Sequence, residues 1–278
     1  MCRFVLAIAV SLSVCGRASA QQRPLVTEDA EPIGAGRLLI EGGLDLSWAQ
    51  VYTVSGLEGN LLRVPIIGIS VGISSIAEIQ IDGGFYNRLT ITDRRTAALS
   101  NLLDVTGNHS HDVEDFVIGT KIRLVPEAAG HPAIGLRFAT RLPNASNESG
   151  LGLDTTDFYA SLLAAKTVQS IRVAANIGAA LLSDPTEGHR QNDVLTYGVS
   201  VARAITDRAE FVGELNGRVS REVEYPGTET RSLLNLGGRY TRGPVRLDGA
   251  LFFGLTSIDP TVGFTTGFTY VFHAFDVP

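Results

Sequence analysis

The chain is nearly free of cysteine: of 278 residues only Cys2 and Cys15 carry a thiol. Both lie in the first twenty residues, so the remainder offers no disulfide, no thiolate nucleophile and no cysteine metal site. Past that stretch there is no run of eighteen apolar residues, which excludes a transmembrane helix. Basic charge is also in short supply. Two of the 23 basic residues, Arg3 and Arg17, lie in the leader, so 21 face 29 acidic ones, a balance of −8. That balance argues against a nucleic-acid partner, which needs a basic footprint. The chain has no phosphate-binding glycine loop or paired zinc motif.

The first twenty residues read as a secretory signal. Arg3 supplies the positive start, Phe4 to Val14 the short apolar stretch, and Ala18-Ser19-Ala20 the small-residue cleavage site. Cys15 follows Val14, which is bulkier than a lipidation site accepts. The mature chain of about 258 residues is long enough for one large all-β domain. Its first part, residues 21–35, contains proline and is acidic at Glu28, Asp29 and Glu31. It is either a periplasmic tail or a plug folded into a lumen, and the usual mobility of termini favours the tail.

Residues 36–278 alternate. Leu38, Ile40, Leu44, Leu46 and Trp48 oppose Arg37, Glu41, Asp45 and Ser47; Ile79, Ile81, Phe85 and Leu89 oppose Glu78, Gln80, Asp82 and Arg88. Phe116, Ile118, Ile122 and Leu124 oppose Asp115, Lys121 and Arg123. The same pattern sets Ile134, Leu136 and Phe138 against Arg137, and Phe211, Leu215 and Val219 against Glu210, Glu214 and Arg218. It sets Leu234, Leu236 and Tyr240 against Arg239, and Leu247, Leu251 and Phe253 against Arg246 and Asp248. In the last segment Phe264, Phe268, Tyr270 and Phe272 share one face. Period-two alternation is the signal of strands with two different surroundings. Two segments lack it: Leu61 to Ile73 is apolar on both faces around Pro65, and Ala160 to Val168 is rich enough in Ala and Leu to pass for a short helix.

About twelve strands are expected, most of them ten or more residues long. Ordinary strands run about five or six residues, and tilted transmembrane strands about nine to eleven. Short connections, such as Ser74 to Ala77 and Thr206-Asp207, alternate with longer ones, such as Thr92 to Val113 and Ser183 to Asn192. Short turns at one end and long loops at the other are the layout of an outer-membrane barrel. Only a closed barrel satisfies every strand hydrogen bond in lipid. The expectation is an all-β, antiparallel, up-and-down transmembrane barrel of about twelve strands in the bacterial outer membrane.

Its inward set carries both signs: Glu41, Asp45, Glu78, Asp82, Asp115, Lys121, Arg123, Arg137, Glu210, Glu214, Arg218, Arg239, Arg246 and Asp248. These residues either line a selective pore or pair with one another and fill the lumen, since twelve strands lie between the packed eight-stranded barrel and the open porin. His109-Ser-His111-Asp112 sits in the longest connection and reads as a solvated loop rather than a metal site. Asn108, Asn144 and Asn147 match glycosylation acceptors but read as polar loop residues in a bacterial export context. No catalytic, metal or cofactor residues are assigned.

Several segments together resemble a known family. These are Thr27-Glu-Asp-Ala30 with Gly36 and Glu41-Gly42, Leu62-Arg-Val-Pro65 followed by Gly72 and Glu78, Asp115 to Leu124, and Pro132 to Pro143. In this order they are similar to the outer-membrane "MetA-pathway of phenol degradation" family. That resemblance implies a transporter-like barrel that moves small solutes, aromatic or apolar ones among them. The segment from Thr266 to Phe272, with Gly267, Tyr270 and Phe272 at the fixed positions, resembles the signal by which the barrel-assembly machinery takes up a last strand, although His273 to Pro278 follow it. The function expected is a porin-like channel or transporter, not an enzyme, with outer-membrane lipid and the assembly machinery as partners. The alternatives are a lipid-modifying barrel enzyme and a structural barrel whose loops bind a partner.

Overall fold

The computed structural model describes residues 23–221 and 226–277. The expected secretory signal lies outside the described residues. Fourteen strands form one antiparallel sheet that closes on itself, β1 (Arg37–Tyr52) pairing with both β2 (Leu57–Gly72) and β14 (Val262–His273). β3 (Ala77–Gly84) and β4 (Asn87–Arg94) both pair with β2, and β5 (His109–Asp112) runs on into β6 (Val117–Val125). Each of these two pairs makes one pass, and the chain is a closed barrel of 12 passes. The others are β7 (Ala133–Arg141), β8 (Asp157–Val168), β9 (Ile171–Ser183), β10 (Gln191–Ala204), β11 (Ala209–Val219), β12 (Arg231–Arg242) and β13 (Val245–Gly254).

Strand burial follows the alternation. In β1, Leu39, Glu41, Asp45 and Ser47 are buried while Trp48 is exposed; in β14, Thr265 and Thr269 are buried while Phe264, Phe268 and Tyr270 are exposed. The exposed set continues around the wall through Phe138, Phe158, Ile177, Leu195, Phe211, Leu236 and Leu247. The wall is therefore apolar outside and polar inside, the reverse of a soluble barrel. Connections at the end that holds both chain ends are short, for instance 169–170 and 243–244, and those at the other end are longer, for instance 142–156 and 220–230.

Two breaks shift the pattern. Val64-Pro65 in β2 faces Phe85-Tyr86 between β3 and β4, where the Val64 N–H donates to the Tyr86 carbonyl and the Phe85 N–H to the Pro65 carbonyl. Proline is tolerated here because only its carbonyl is used. Across this break the inward positions change parity, so Leu89 is fully buried and Arg88 is exposed, which reverses the sequence expectation for that pair. Leu57, Leu61, Leu89 and Ile91 consequently form an apolar cluster inside the outer mouth, against which Leu103 and Leu151 of the outer loops pack.

The segment 109–112 is a short strand paired with β4 and not a loop, and Ser110 is buried with its hydroxyl donating to the Ser149 carbonyl. Residues 160–168 are strand, not helix. Gly36, with φ +68, marks the barrel seam: its carbonyl accepts the N–H groups of Ala274 and Phe275, and a Cβ there would lie 2.0 Å from the Phe275 oxygen.

Candidate functional site

Residues 23–36 do not hang below the barrel as a tail. They cross its lumen, bonded to strands all around the wall. Each acidic side chain of the segment finds a cation whose burial would otherwise be costly. Glu31 pairs with Arg123 and accepts the Glu127 N–H at 3.1 Å. Asp29 pairs with Arg172, with one oxygen 2.6 Å from Nη2. Glu28 lies 3.2 Å from Lys121 Nζ and 3.0 Å from Arg137 Nε. Burial pushes the Glu28 carboxyl up, and Lys121 and Arg137 more than offset this, holding it below its ordinary value. Asp29 is also held low, because Arg172 outweighs its desolvation.

The segment's backbone is held as well. Ile33 N–H donates to Glu78 at 2.6 Å, Val26 N–H to Glu214 at 2.9 Å, and Thr27 N–H also to Glu214. Asn176 bonds both the N–H and the carbonyl of Glu28. Arg23 reaches Thr265 at 2.9 Å and Asp248 at 3.5 Å, its N–H donates to Glu41, and its carbonyl accepts from Arg239. Ala30 packs on Ala133, Ala165 and Ala174, whose small side chains leave room for the segment, and on Leu163.

The structure places most of the sequence-nominated charges in this one assembly. Lys121 is fully buried, 2.9 Å from Glu78 and fixed between it and Glu28. Asp82 lies 3.8 Å from Arg137, whose Nε also donates to Gln80 at 2.7 Å. Glu41 accepts the Thr269 hydroxyl at 2.9 Å, and Glu214 accepts from Asn216 and Asn235. At the inner end Glu210 lies 4.0 Å from Arg239 and 3.9 Å from Arg246. Asp45 stands apart, bound to Arg63 at 2.5 Å. Asp115 sits at the outer end, where it accepts the N–H groups of Asn144 and Ala145 and lies 3.7 Å from Arg141. Arg218 is also at the outer mouth, donating to the carbonyls of Gly227 at 2.7 Å and Glu229 at 2.9 Å.

Several residues that build the site are absent from the inward set read from the sequence: Arg63, Asp157, Arg172, Asn176 and Arg231, together with Gln80 and Arg141, which alternation puts on the polar faces of their strands without counting them among the lumen charges. Arg63 is masked by the two-faced apolar run of β2, and Asp157 and Arg172 stand at strand ends. The acidic residues of the segment were visible, but not their partners.

Above the segment lies an outer vestibule of about 620 Å³, floored by Val26, Thr27 and Glu28 and walled by Arg63, Arg137, Arg141, Arg218, Arg231, Leu163 and Phe252. A second space of about 510 Å³ runs beside the segment, from Arg63 and Phe252 to Arg23, Glu41 and Asp82. The Phe252 ring occupies the room left by Gly263, where a Cβ would lie 1.9 Å from Cζ. Among the described residues no group of His, Cys, Asp and Glu is arranged to hold a metal.

No family model matches the chain, and no curated protein matches it in sequence. Solved structures match it in fold. The COG4313 outer membrane channel from Pseudomonas putida F1 superimposes with a TM-score of 0.64 at 12% identity, over 88% of this chain and 98% of that one. The NanC porin superimposes with a TM-score of 0.52 at 9% identity, over 84% of this chain and 98% of that one. At these identities the likeness is one of fold: the chain folds as a β-barrel similar to those of these two outer-membrane proteins.

Proposed function

We propose that the chain is an outer-membrane channel for small solutes. Its exposed apolar belt faces lipid, and its lumen is narrowed by residues 23–36. One observation carries this reading: the spaces of about 620 and 510 Å³ share Val26, Glu28, Arg63, Arg137 and Phe252 in their linings. Solute space therefore extends from the outer mouth past the level of Glu28. The wall along it mixes both charge signs with Leu163, Leu233 and Phe252, which suits passage of small molecules with polar and apolar parts. The fold likeness to proteins described as a channel and a porin supports the same reading. The MetA-pathway resemblance, with its aromatic solutes, is a narrower form of it.

The mechanism is passive. Solutes enter the vestibule and pass beside the segment, or pass when it shifts. Planar-bilayer conductance and liposome swelling test this with the purified mature chain and with a chain in which residues 23–36 are deleted. Measurable conductance in the first and a higher one in the second are expected. A barrel closed to ions and solutes in both forms would refute the channel and leave a sealed structural barrel. The Gly267, Tyr270 and Phe272 pattern, with the Phe272 ring 5.2 Å from that of Tyr270 on the outer face, is our proposed contact for the barrel-assembly machinery.

A further inference from the structure

The geometry points to a binding site at the outer mouth for a small carboxylate with an apolar body, formed by Arg218, Arg231 and Arg141. This inference names a solute class for the lumen and so rests on reading that lumen as a solute path.

Arg218 in β11 and Arg231 in β12 are direct cross-strand partners, and both face the lumen. Side chains so placed have Cβ atoms about 5 Å apart, and like charges there are destabilising. Their own carboxylates relieve this only weakly: Glu229 lies 4.0 Å from Arg218 and Asp259 3.9 Å from Arg231. Asp259 is already engaged, accepting the Ser232 N–H and both the N–H and the hydroxyl of Thr256. The shorter bonds of the two guanidinium groups go to main-chain carbonyls, from Arg218 to Gly227 and Glu229 and from Arg231 to Val51. Carbonyls orient a guanidinium group without cancelling its charge.

Arg141 completes the group. It is held by Asp157 at 2.5 Å, and Asp157 in turn accepts the Ser183 N–H. All three arginines line a further cavity of about 230 Å³, in which Asp157 is the only carboxylate among the described lining residues. The remaining wall is mixed: Val54, Leu151, Leu153 and Leu182 supply apolar surface among polar residues such as Gln50 and Ser55. The cavity joins the vestibule, because Tyr52, Leu151 and all three arginines line both. A planar fork of donors matches a carboxylate in two-point geometry, and the leucines and valine take an apolar body.

Calorimetric titration of the full mature chain in detergent tests this, with cyclohexanecarboxylate as the probe and cyclohexylmethanol and acetate as controls. The carboxylate should bind, and both controls should bind at least about tenfold more weakly, the usual margin for one lost charge-assisted contact. Arg231→Gln should cost a similar factor. It should also leave the thermal unfolding temperature unchanged or raise it, because it removes a like-charge pair; a purely structural arginine would lower it. Equal binding of the alcohol, no binding of the carboxylate, or unchanged binding by Arg231→Gln overturns the inference. Conductance without binding would leave the channel standing and sink the site. Binding without conductance would do the reverse.

Discussion

Lys121→Met measures how firmly the lumen segment is docked. Lys121 is fully buried and bridges Glu28 of the segment, at 3.2 Å, to Glu78 of the wall, at 2.9 Å. Methionine keeps most of the stem and removes the charge. Breaking a buried ion pair by deleting one partner costs about 3–5 kcal/mol, because the other charge stays buried. Here two carboxylates lose their cation. Glu78 stays in the wall whether the segment is docked or not, so only the part falling on Glu28 favours release. Glu28 also keeps Arg137 at 3.0 Å. About 2 kcal/mol therefore weighs on docking, a shift of about thirtyfold toward the released state at 1.4 kcal/mol per decade.

The scarcity of cysteine supplies the assay. Both native cysteines lie in the first twenty residues, so Thr27→Cys in a chain that starts at Gln21 is its single thiol. Thr27 is buried, and its hydroxyl has no hydrogen-bond partner among the described residues, so the change is mild. Reaction with a membrane-impermeant maleimide follows the open population when closing is faster than labelling. Lys121→Met should raise that rate about thirtyfold, with the barrel still migrating as a folded species in unheated detergent gels. Equal rates with and without Lys121 would refute the ion-pair account of docking.

Two further predictions concern pH and packing. Glu28 and Asp29 are held below their ordinary values of 4.5 and 3.8, so docking is at full strength above pH 4.5 and weakens as pH falls through the depressed values. Conductance should therefore rise as pH falls below about 3.8, and a segment that stays docked as far down as pH 2 would contradict this assignment. Gly263→Ala puts a methyl group against the Phe252 ring and should destabilise the barrel by about 1–3 kcal/mol in a urea titration. Combining it with Phe252→Leu should cost less than the sum of the two changes, and strict additivity would show that the ring does not occupy that space.

The barrel was legible in the sequence because its two surroundings, lipid and a wet lumen, differ as strongly as any two faces can. Where the inner surroundings are also apolar, the pattern vanishes. β8 reads as Ala/Leu-rich because Leu163 and Ala165 pack on Ala30 inside while Phe158 and Leu162 face outward. In β2 the parity change at Val64-Pro65 superimposes two registers, and the matching change at Phe85-Tyr86 carries Leu89 to the inner face.

The lumen charges were visible as alternating positions, but their pairing was not. Glu28 meets Lys121 across 93 residues of chain, and Asp29 meets Arg172 across 143. Composition cannot tell a tail from a plug when the partners lie that far away. The Arg218–Arg231 juxtaposition likewise depends on strand register, which alternation alone leaves open.

The path of residues 23–36 also imposes an order of events. The segment's partners stand on β3, β6, β7, β9, β11, β13 and β14, so its binding site is complete only when the last strand has been made and joined to the first. A segment that precedes every strand in the sequence therefore finds its full set of partners only after the last of them. Its full docking energy is available only once the ring is closed, so the fully docked segment marks a finished barrel.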